Sequence, residues 1–177
     1  MESITRREFL KRSLLTVGSI PLLGINEKLW AMGSVPEKLP VCIFSKHLQF
    51  LDWRLLGEKV AEMGFAGIDL TVRKNGHVEP ATVETDLPKA VDEIRKGGST
   101  CLMLSTTIEN IHNEQDRNVI KNAAKCKIPF YRTNWFKYPV DKSQPEALEM
   151  YASNLKELSE LNRKLGIVGC YQNHAGT

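Results

Sequence analysis

Residues 65–80 read FAGIDLTVRKNGHVEP, and the rest of the chain is interpreted around this stretch. The short apolar run from Phe65 to Leu70 is typical of a buried β-strand and carries Asp69 near its end. The loop that follows is closed by a proline and contains charged and titratable side chains: Arg73, Lys74, His77 and Glu79. Such groups directly after a strand favour a polyol or oxyanion pocket, although a solvated loop would have the same composition.

The rest of the chain alternates short apolar runs with segments of helical periodicity. The predicted strands are Pro40–Ser45, Phe65–Val72, Cys101–Ser105, Ile128–Arg132 and Ile167–Gln172. The predicted helices, in which apolar residues recur every three or four positions, are Leu51–Met63, Val83–Lys96, Glu114–Cys126 and Gln144–Leu165. Pro88 is expected in the first turn of the second helix, or just before a later start. Repeated alternation of this kind predicts a parallel α/β sheet with right-handed crossovers.

Two architectures fit this alternation, a doubly wound sheet and a (β/α)8 TIM barrel. The nucleotide-binding form of the doubly wound sheet is disfavoured because no G-x-G-x-x-G or G-x-x-x-x-G-K-[ST] pattern follows a strand. Polar residues are instead concentrated after the strand ends, as in barrel enzymes. We therefore expect residues 40–177 to form a partial (β/α)8 barrel, with about its first five strands and four helices.

Residues 1–33 are predicted to be a twin-arginine export signal and linker. The sequence TRREFLK at residues 5–11 is a twin-arginine pattern, and a mostly apolar run follows from Leu14 to Ile25. This run is too short and too interrupted for a membrane-spanning helix, which needs about 20 apolar residues. We therefore expect the twin-arginine export machinery as a partner, a periplasmic or exported location, and no membrane attachment after signal removal.

The charge balance disfavours nucleic acid as a partner. The chain has 24 Lys and Arg against 21 Asp and Glu, a formal net charge of +3. Part of this small excess falls in the predicted signal, so the remaining residues are nearly neutral. A nucleic-acid-binding domain usually has a much stronger basic footprint.

The four cysteines include no C-x-x-C pair, which gives zinc binding no support in the spacing. Three of the four lie in apolar, strand-like runs, and this favours buried free thiols. Because the count is even and export is predicted, disulfides remain open as an alternative.

Polar side chains follow every predicted strand. In order, they are Lys46, His47 and Gln49; Asp69, Arg73, His77 and Glu79; Thr106, Thr107 and Glu109; Arg132, Asn134 and Trp135; and Gln172, Asn173 and His174. In a barrel all five strand ends share one face, so these side chains would converge on one cleft. Arginine and lysine suit a phosphate or carboxylate, and Trp135 offers a flat surface for a sugar ring. The plainer interpretation of each position is a solvated connection.

Several motifs in order resemble the sugar phosphate isomerase/epimerase family, which has the xylose-isomerase-like TIM barrel. They are IFSKHLQ at 43–49, GFAGIDLTVRKNGHVEP at 64–80, DLP at 86–88, YR at 131–132 and YQNHAG at 171–176. The resemblance runs from about Val41 to the last residue. It implies a small-molecule sugar or polyol as substrate, isomerised or epimerised by proton transfer next to a carbonyl, usually with a divalent metal (Mn, Mg or Zn).

Matching these motifs position by position implies pocket roles for Lys46, Asp69, His77, Arg132, Asn173 and His174, and the positions after the second and fourth strands add Arg73 and Trp135. His77 and His174 are the predicted catalytic residues. The predicted substrate-binding residues are Lys46, Asp69, Arg73, Arg132, Trp135 and Asn173.

The metal ligands are left unassigned. Related enzymes often carry, at the fifth strand, an acid that is both metal ligand and general base, and here that neighbourhood contains Gln172. An amide cannot act as a base and holds a divalent ion poorly, which puts a metal in doubt for this chain.

Family members continue beyond the point where this sequence stops, into strands six to eight. We therefore expect a truncated gene product or partial sequence, because five barrel strands leave two open edges. Two functions remain: an incomplete isomerase or epimerase, and a non-catalytic carbohydrate-binding protein that keeps the cleft without the metal. A DNA-repair endonuclease on the same barrel is disfavoured by the charge and the export signal.

Overall fold

The computed structural model describes residues 39–172 as a five-stranded parallel sheet alternating with α-helices. The strands are β1 (Cys42–Phe44), β2 (Gly67–Val72), β3 (Cys101–Thr106), β4 (Phe130–Arg132) and β5 (Val168–Cys170). The helices are α1 (Trp53–Glu62), α2 (Val83–Lys96), α3 (Glu114–Lys125) and α4 (Gln144–Leu165). The predicted signal at 1–33 and the predicted site residues Asn173 and His174 lie outside the described residues.

The predicted alternation is confirmed, and the differences are at the ends of elements. Ser45 is not the last residue of β1 but the first of a short 3-10 helix, Ser45–Leu48. Its Oγ accepts a 2.9 Å hydrogen bond from the backbone N–H of Thr71, at the end of β2. Helix α1 begins at Trp53 rather than Leu51, because the Asp52 side chain accepts a 2.8 Å hydrogen bond from the Leu55 N–H and caps the helix.

Pro88 lies inside α2, in its second turn, and neither of the predicted placements is correct. A proline has no N–H, so it cannot donate the usual helical hydrogen bond to the carbonyl of Glu84. Both residues are exposed, which leaves that carbonyl near water. The favourable acids of the first turn, Glu84 and Asp86, explain why the helix nevertheless begins at Val83.

Helix α4 has the predicted bounds, and its two ends follow from local sequence. Ser143 and Glu146 form a reciprocal capping box at its start, with the Ser143 N–H 2.8 Å from Glu146 Oε2. Gly166 ends the helix in the left-handed conformation, at φ 67°. Among residues 39–172, neither α4 nor any other helix combines the length and the apolar character needed to cross a membrane.

The strands lie in the order β1-β2-β3-β4-β5, and every neighbouring pair is parallel. Right-handed crossovers between strands in this sequential order put every helix on the same face of the sheet. Accordingly, α1 packs on α2, α2 on α3, and α3 on α4. A doubly wound sheet instead reverses its strand order and places helices on both faces.

The core lies between this helix layer and the sheet. Alternate residues of the central strands, including Leu70, Val72 and Leu104, have no exposed surface, and neither do Leu87 and Ile94 of α2. Burying an aliphatic side chain of this size contributes about 1.5–3 kcal/mol. The apolar positions of the predicted amphipathic helices are therefore buried in this core, as expected.

Two glycines allow α1 and α2 to approach closely. A Cβ at Gly97 would lie 2.5 Å from the carbonyl oxygen of Arg54, and a Cβ at Gly57 would lie 3.0 Å from Ile94 Cα. The contacted atoms are backbone, which cannot rotate away as a side chain can. Gly97 is therefore required for packing, since its own φ of −73° suits any residue.

The face of the sheet opposite the helices carries the polar residues. Period-two alternation places Asp69 and Thr71 on this face, with Ser105 of β3 and Arg132 of β4. The strand register joins Thr71 to Ser105 and Ser105 to Arg132. Three neighbouring parallel strands thus bring polar and charged side chains together on this face.

All four cysteines are free thiols. Cys101 is buried, while Cys42, Cys126 and Cys170 are half-buried. Burial raises the pKa of each thiol above its ordinary value. The structure thus pairs none of them, and their raised pKa values disfavour the reactive thiolate form.

Candidate functional site

A cleft of about 590 Å³ lies at the carboxyl ends of the strands, on the face of the sheet opposite the helices. Six residues that follow strand ends or lie near them line it, and the sequence analysis singled out all of them: Lys46, Asp69, Arg73, Arg132, Trp135 and Gln172. Its volume is within the range of small-molecule sites. Residues after four of the five strands therefore lie around one cleft, whereas Thr106, Thr107 and Glu109, expected there from the third strand, do not line it.

Asp69 is at the centre of the cleft and is held by the neighbouring strand. Ser105 Oγ donates a 2.8 Å hydrogen bond to Asp69 Oδ2. The other carboxyl oxygen, Oδ1, is buried and has no hydrogen-bond partner among residues 39–172. One oxygen is thus oriented by the protein, while the other lacks a donor.

The pKa of Asp69 is raised above its ordinary value, and burial is the main cause. The hydrogen bond from Ser105 and the positive charges of Arg132 and Arg73 lower the pKa but do not cancel the effect of burial. A carboxyl group in a cleft whose pKa is shifted toward neutrality is a candidate general acid or base.

Arg132 is only 8% exposed, and its guanidinium group contacts three neighbouring residues. Its Nη1 donates a 3.0 Å hydrogen bond to the Thr133 carbonyl, and its Nε lies 3.5 Å from Ser105 Oγ. Its guanidinium carbon is 5.1 Å from the ring centroid of Trp135, a cation–π distance. Burial lowers the pKa of Arg132 and Asp69 opposes this, but an arginine stays charged at any ordinary pH.

Arg73 approaches the same region from the loop after β2. Its guanidinium carbon lies 5.7 Å from the ring centroid of Phe44, and its side chain makes no hydrogen bond within the described chain. The loop itself is tightly closed, since the Arg73 N–H donates to Val78 O at 3.1 Å and the Gly76 N–H donates to Arg73 O at 2.8 Å. A rigid loop thus presents a guanidinium whose donors are unused.

His77 does not line the cleft. Its ring is half-buried beside Thr71, with Nδ1 3.2 Å from Thr71 Oγ1, and its own N–H donates to the same oxygen at 3.0 Å. Trp53 Nε1 donates a 3.0 Å hydrogen bond to the His77 carbonyl. Burial lowers the pKa of the imidazole, although the backbone of Leu48 and Leu51 opposes the shift. These contacts attach the loop to β2 and α1.

The remaining predicted residues lie at the edge of the cleft. Lys46 is exposed in the 3-10 helix after β1, and the loop residue Lys74 is exposed outside the cleft. Trp135 and Gln172 contribute from the segments after β4 and β5. An aromatic cluster holds this edge, because Phe136 stacks on Tyr151 of α4 at 4.6 Å and on Tyr171 at 5.1 Å.

Five further cleft residues were not singled out from the sequence: Phe44, Met103, Ser105, Cys170 and Tyr171. Ser105 is the most informative of them, since it orients Asp69. The sequence did carry a signal for Ser105, because it is the polar residue that ends the apolar run CLMLS at residues 101–105. Alternation along the strand places it on the same face as Met103, which also lines the cleft. The apolar members resemble any strand residue and give no such signal.

The described residues do not fit a divalent metal. Among residues 39–172, no group of three or more His, Cys, Asp or Glu side chains could hold an ion. The cleft has a single carboxylate in its lining, Asp69, and two guanidinium groups act on it. Divalent ions of this kind take several oxygen ligands, and neighbouring positive charges oppose them.

No protein-family model matches the chain, and no curated protein matches it. Membership of the sugar phosphate isomerase/epimerase family therefore stays a prediction from sequence motifs.

Proposed function

We propose that the described sheet is the first part of a xylose-isomerase-like (β/α)8 barrel and that its cleft binds a sugar or polyol. The sequential parallel order and the single helix layer support this architecture. In such barrels the active site lies at the carboxyl ends of the strands, which is where Asp69, Arg132 and Trp135 lie. The near-neutral charge supports a small molecule rather than nucleic acid.

The proposed reaction is isomerisation or epimerisation by proton transfer next to a carbonyl. The observation that carries it is the half-buried carboxyl group of Asp69, which has a raised pKa and, among residues 39–172, one oxygen without a hydrogen-bond partner. As a carboxylate it takes the proton from the carbon beside the carbonyl, which leaves an enolate, and the carboxylic acid so formed then returns the proton to carbon. Arg132 donates hydrogen bonds to the oxygen on which negative charge develops, and Trp135 stacks against the apolar face of the sugar.

We propose a positioning role for His77 instead of a catalytic one, since its ring contacts Thr71 and His77 does not line the cleft. It orients the loop that presents Arg73. The catalytic assignment of His174 and the binding assignment of Asn173 remain predictions, as does a metal in a longer form of the protein.

Proton exchange at a substrate carbon tests this function. The full chain is incubated in D2O with a panel of aldoses, ketoses and inositol-type polyols, and deuterium incorporation is followed by proton NMR. We expect exchange with at least one sugar, and a loss of about 100- to 10,000-fold in the Asp69→Asn variant. Asp141→Asn, an exposed change of the same kind, is the control and should not alter the rate. Exchange that survives in Asp69→Asn contradicts the assignment.

The second candidate is a non-catalytic carbohydrate-binding protein. It is favoured by the absence of a second carboxylate among the cleft-lining residues and by Gln172, an amide, at the fifth strand end. Calorimetric binding of a sugar without added metal, together with no deuterium incorporation in wild type, would select it over the isomerase.

Export through the twin-arginine route to the periplasm is part of the same proposal. Its test is a fusion of residues 1–33 to a reporter that is active after export in a folded state. Arg6→Lys together with Arg7→Lys should abolish export, while Lys11→Arg should leave it intact. Export of the double variant at the normal level contradicts the signal.

A further inference from the structure

We propose that the cleft contains an oxyanion subsite, formed by Arg73, Arg132 and Lys46, which binds a phosphate or carboxylate group carried by the ligand. The sugar or polyol part of the ligand rests on the proposed function. The oxyanion part rests on the arrangement of these three cations alone.

The first observation is that Arg132 is buried without an ion-pair partner. It is 8% exposed, yet no carboxylate of the described residues lies within 4.0 Å of its guanidinium nitrogens. A buried charge is costly unless it is paired or fully hydrogen-bonded. Within residues 39–172, its Nη1 donates to the Thr133 carbonyl and its Nε to the Ser105 hydroxyl, which leaves further N–H donors of the guanidinium available to a ligand. An anion in the cleft would complete the coordination of this guanidinium.

The second observation is that Arg73 is presented but unused. Its loop is closed by backbone hydrogen bonds, and its guanidinium carbon lies 5.7 Å from the centroid of Phe44. The five N–H donors of the side chain have no acceptor among residues 39–172. A guanidinium fork held in place in this way matches the geometry of a carboxylate or phosphate.

The third observation is the excess of positive charge. Three cations, Lys46, Arg73 and Arg132, line the cleft together with a single carboxylate, Asp69. The two arginines are close enough that Arg73 lowers the pKa of Arg132. This repulsion between like charges is relieved when an anion lies between or beside them. The same excess explains why the cleft does not fit a divalent cation.

Asp69 indicates a second feature of the ligand, a hydroxyl group beside the oxyanion. Its Oδ1 has no donor within the described chain, so a hydroxyl of the ligand would supply one. A hydroxyl near an oxyanion is the chemistry of a sugar phosphate or a sugar acid. A neutral sugar would offer Arg73 and Arg132 hydroxyl and carbonyl oxygens but no negative charge, and hydrogen bonds to a charged acceptor are the stronger ones.

Nitrogen-15 NMR of the arginine side chains tests the subsite without knowledge of the sugar. The full chain is titrated with inorganic phosphate and, separately, with acetate. We expect saturable shifts of the Arg73 and Arg132 Nε–H signals with at least one of these anions. Lys74→Gln, which removes an exposed positive charge next to Arg73, should leave the titration unchanged. Arg73→Gln should weaken binding about 10- to 100-fold, and Arg73→Lys should restore part of it.

Calorimetry with matched ligands then identifies the source of the oxyanion. The set is glucose, glucose 6-phosphate and glucuronate, with ribose and ribose 5-phosphate as a second set. Binding of the phosphate at least tenfold tighter than the parent sugar assigns a phosphate, and the same preference for glucuronate assigns a carboxylate. Both preferences should be lost in Arg73→Gln.

The outcomes separate this inference from the proposed function. A neutral sugar that binds as tightly as its anionic partners, with no arginine shifts on adding phosphate or acetate, overturns the oxyanion subsite and leaves the sugar function standing. Arginine-dependent binding of the simple anions with no binding of any sugar or polyol keeps the subsite and overturns the sugar function. If neither the simple anions nor any sugar or polyol binds, both the oxyanion subsite and the sugar function are wrong.

Discussion

Ser105 Oγ donates a 2.8 Å hydrogen bond to Asp69 Oδ2, and this contact joins two adjacent parallel strands at the floor of the cleft. Ser105 lies beside Thr71 in the strand register, two residues beyond Asp69. The bond therefore runs diagonally and fixes the rotation of the carboxyl group. The other carboxyl oxygen, Oδ1, has no hydrogen-bond donor among residues 39–172.

Replacing Ser105 by alanine should raise the pKa of Asp69 further. The hydrogen bond from Ser105 stabilises the charged carboxylate, whereas burial, which remains in the variant, destabilises it. Carbon-13 NMR of the Asp69 carboxyl group as a function of pH measures the change. Ser153→Ala, on the exposed side of α4, is the control. An Asp69 pKa that stays the same or falls in Ser105→Ala would show that this hydrogen bond does not favour the carboxylate.

His77 should make the protein less stable in acid. Burial holds the folded-state pKa of His77 below its ordinary value of 6.5, so the unfolded chain binds the proton more readily. The contribution of neutral His77 to stability is therefore complete above pH 6.5. It is lost as the pH falls through that value toward the lowered folded-state pKa.

Urea unfolding of the full chain at pH 5 and pH 8 measures this effect. The drop in unfolding free energy between these pH values should be smaller in His77→Asn than in wild type. His47→Asn, which removes an exposed histidine, is the control and should show the wild-type drop. An equal drop in all three proteins contradicts the burial argument for His77.

The alternation of parallel strands and helices was largely predictable, because each element has its own local pattern of apolar residues. Apolar residues at helical spacing in α2 and α4 predicted their burial, and Gly166 predicted where α4 ends. The position of Pro88 inside α2 was not predictable, because the cost of one missing hydrogen bond is small against the burial of residues such as Leu87. Tertiary packing decides such cases.

About half of the residues that line the cleft were predictable from the sequence, but their contacts were not. Charged residues after strand ends converge in any sheet of this order, so Asp69, Arg73 and Arg132 were found from their positions. His77 has the same sequence signature but turns toward Thr71, because the loop folds back and its N–H bonds to the Thr71 hydroxyl. No spacing rule distinguishes a side chain that enters the cleft from one that supports the loop.

Alanine at Gly57 should destabilise the protein, although alanine is the better helix former by about 1 kcal/mol. The added Cβ would lie 3.0 Å from Ile94 Cα and would also meet the Ile94 carbonyl, so α1 and α2 would have to separate. We expect a loss of about 1–3 kcal/mol in unfolding free energy, measured by urea denaturation. Gly64→Ala is the comparison for a glycine that has no close neighbour. No atom lies within 4 Å of its added Cβ, so the change tests only the backbone strain of alanine at a φ of +77°. A gain in stability for Gly57→Ala would contradict the close approach of the two helices.

Removing the indole of Trp135 should weaken ligand binding in two ways. The ring lies 5.1 Å from the guanidinium carbon of Arg132, a contact worth about 0.5–1 kcal/mol when exposed and more when desolvated. It also offers the flat surface proposed for the sugar. We expect Trp135→Ala to weaken binding of the best ligand about tenfold or more and Trp135→Phe to weaken it less, because a smaller flat ring remains. Calorimetry measures both, with Tyr138→Ala, an exposed aromatic outside the cleft, as the control. Equal affinity in Trp135→Ala and wild type would mean that the ring neither holds Arg132 nor contacts the ligand.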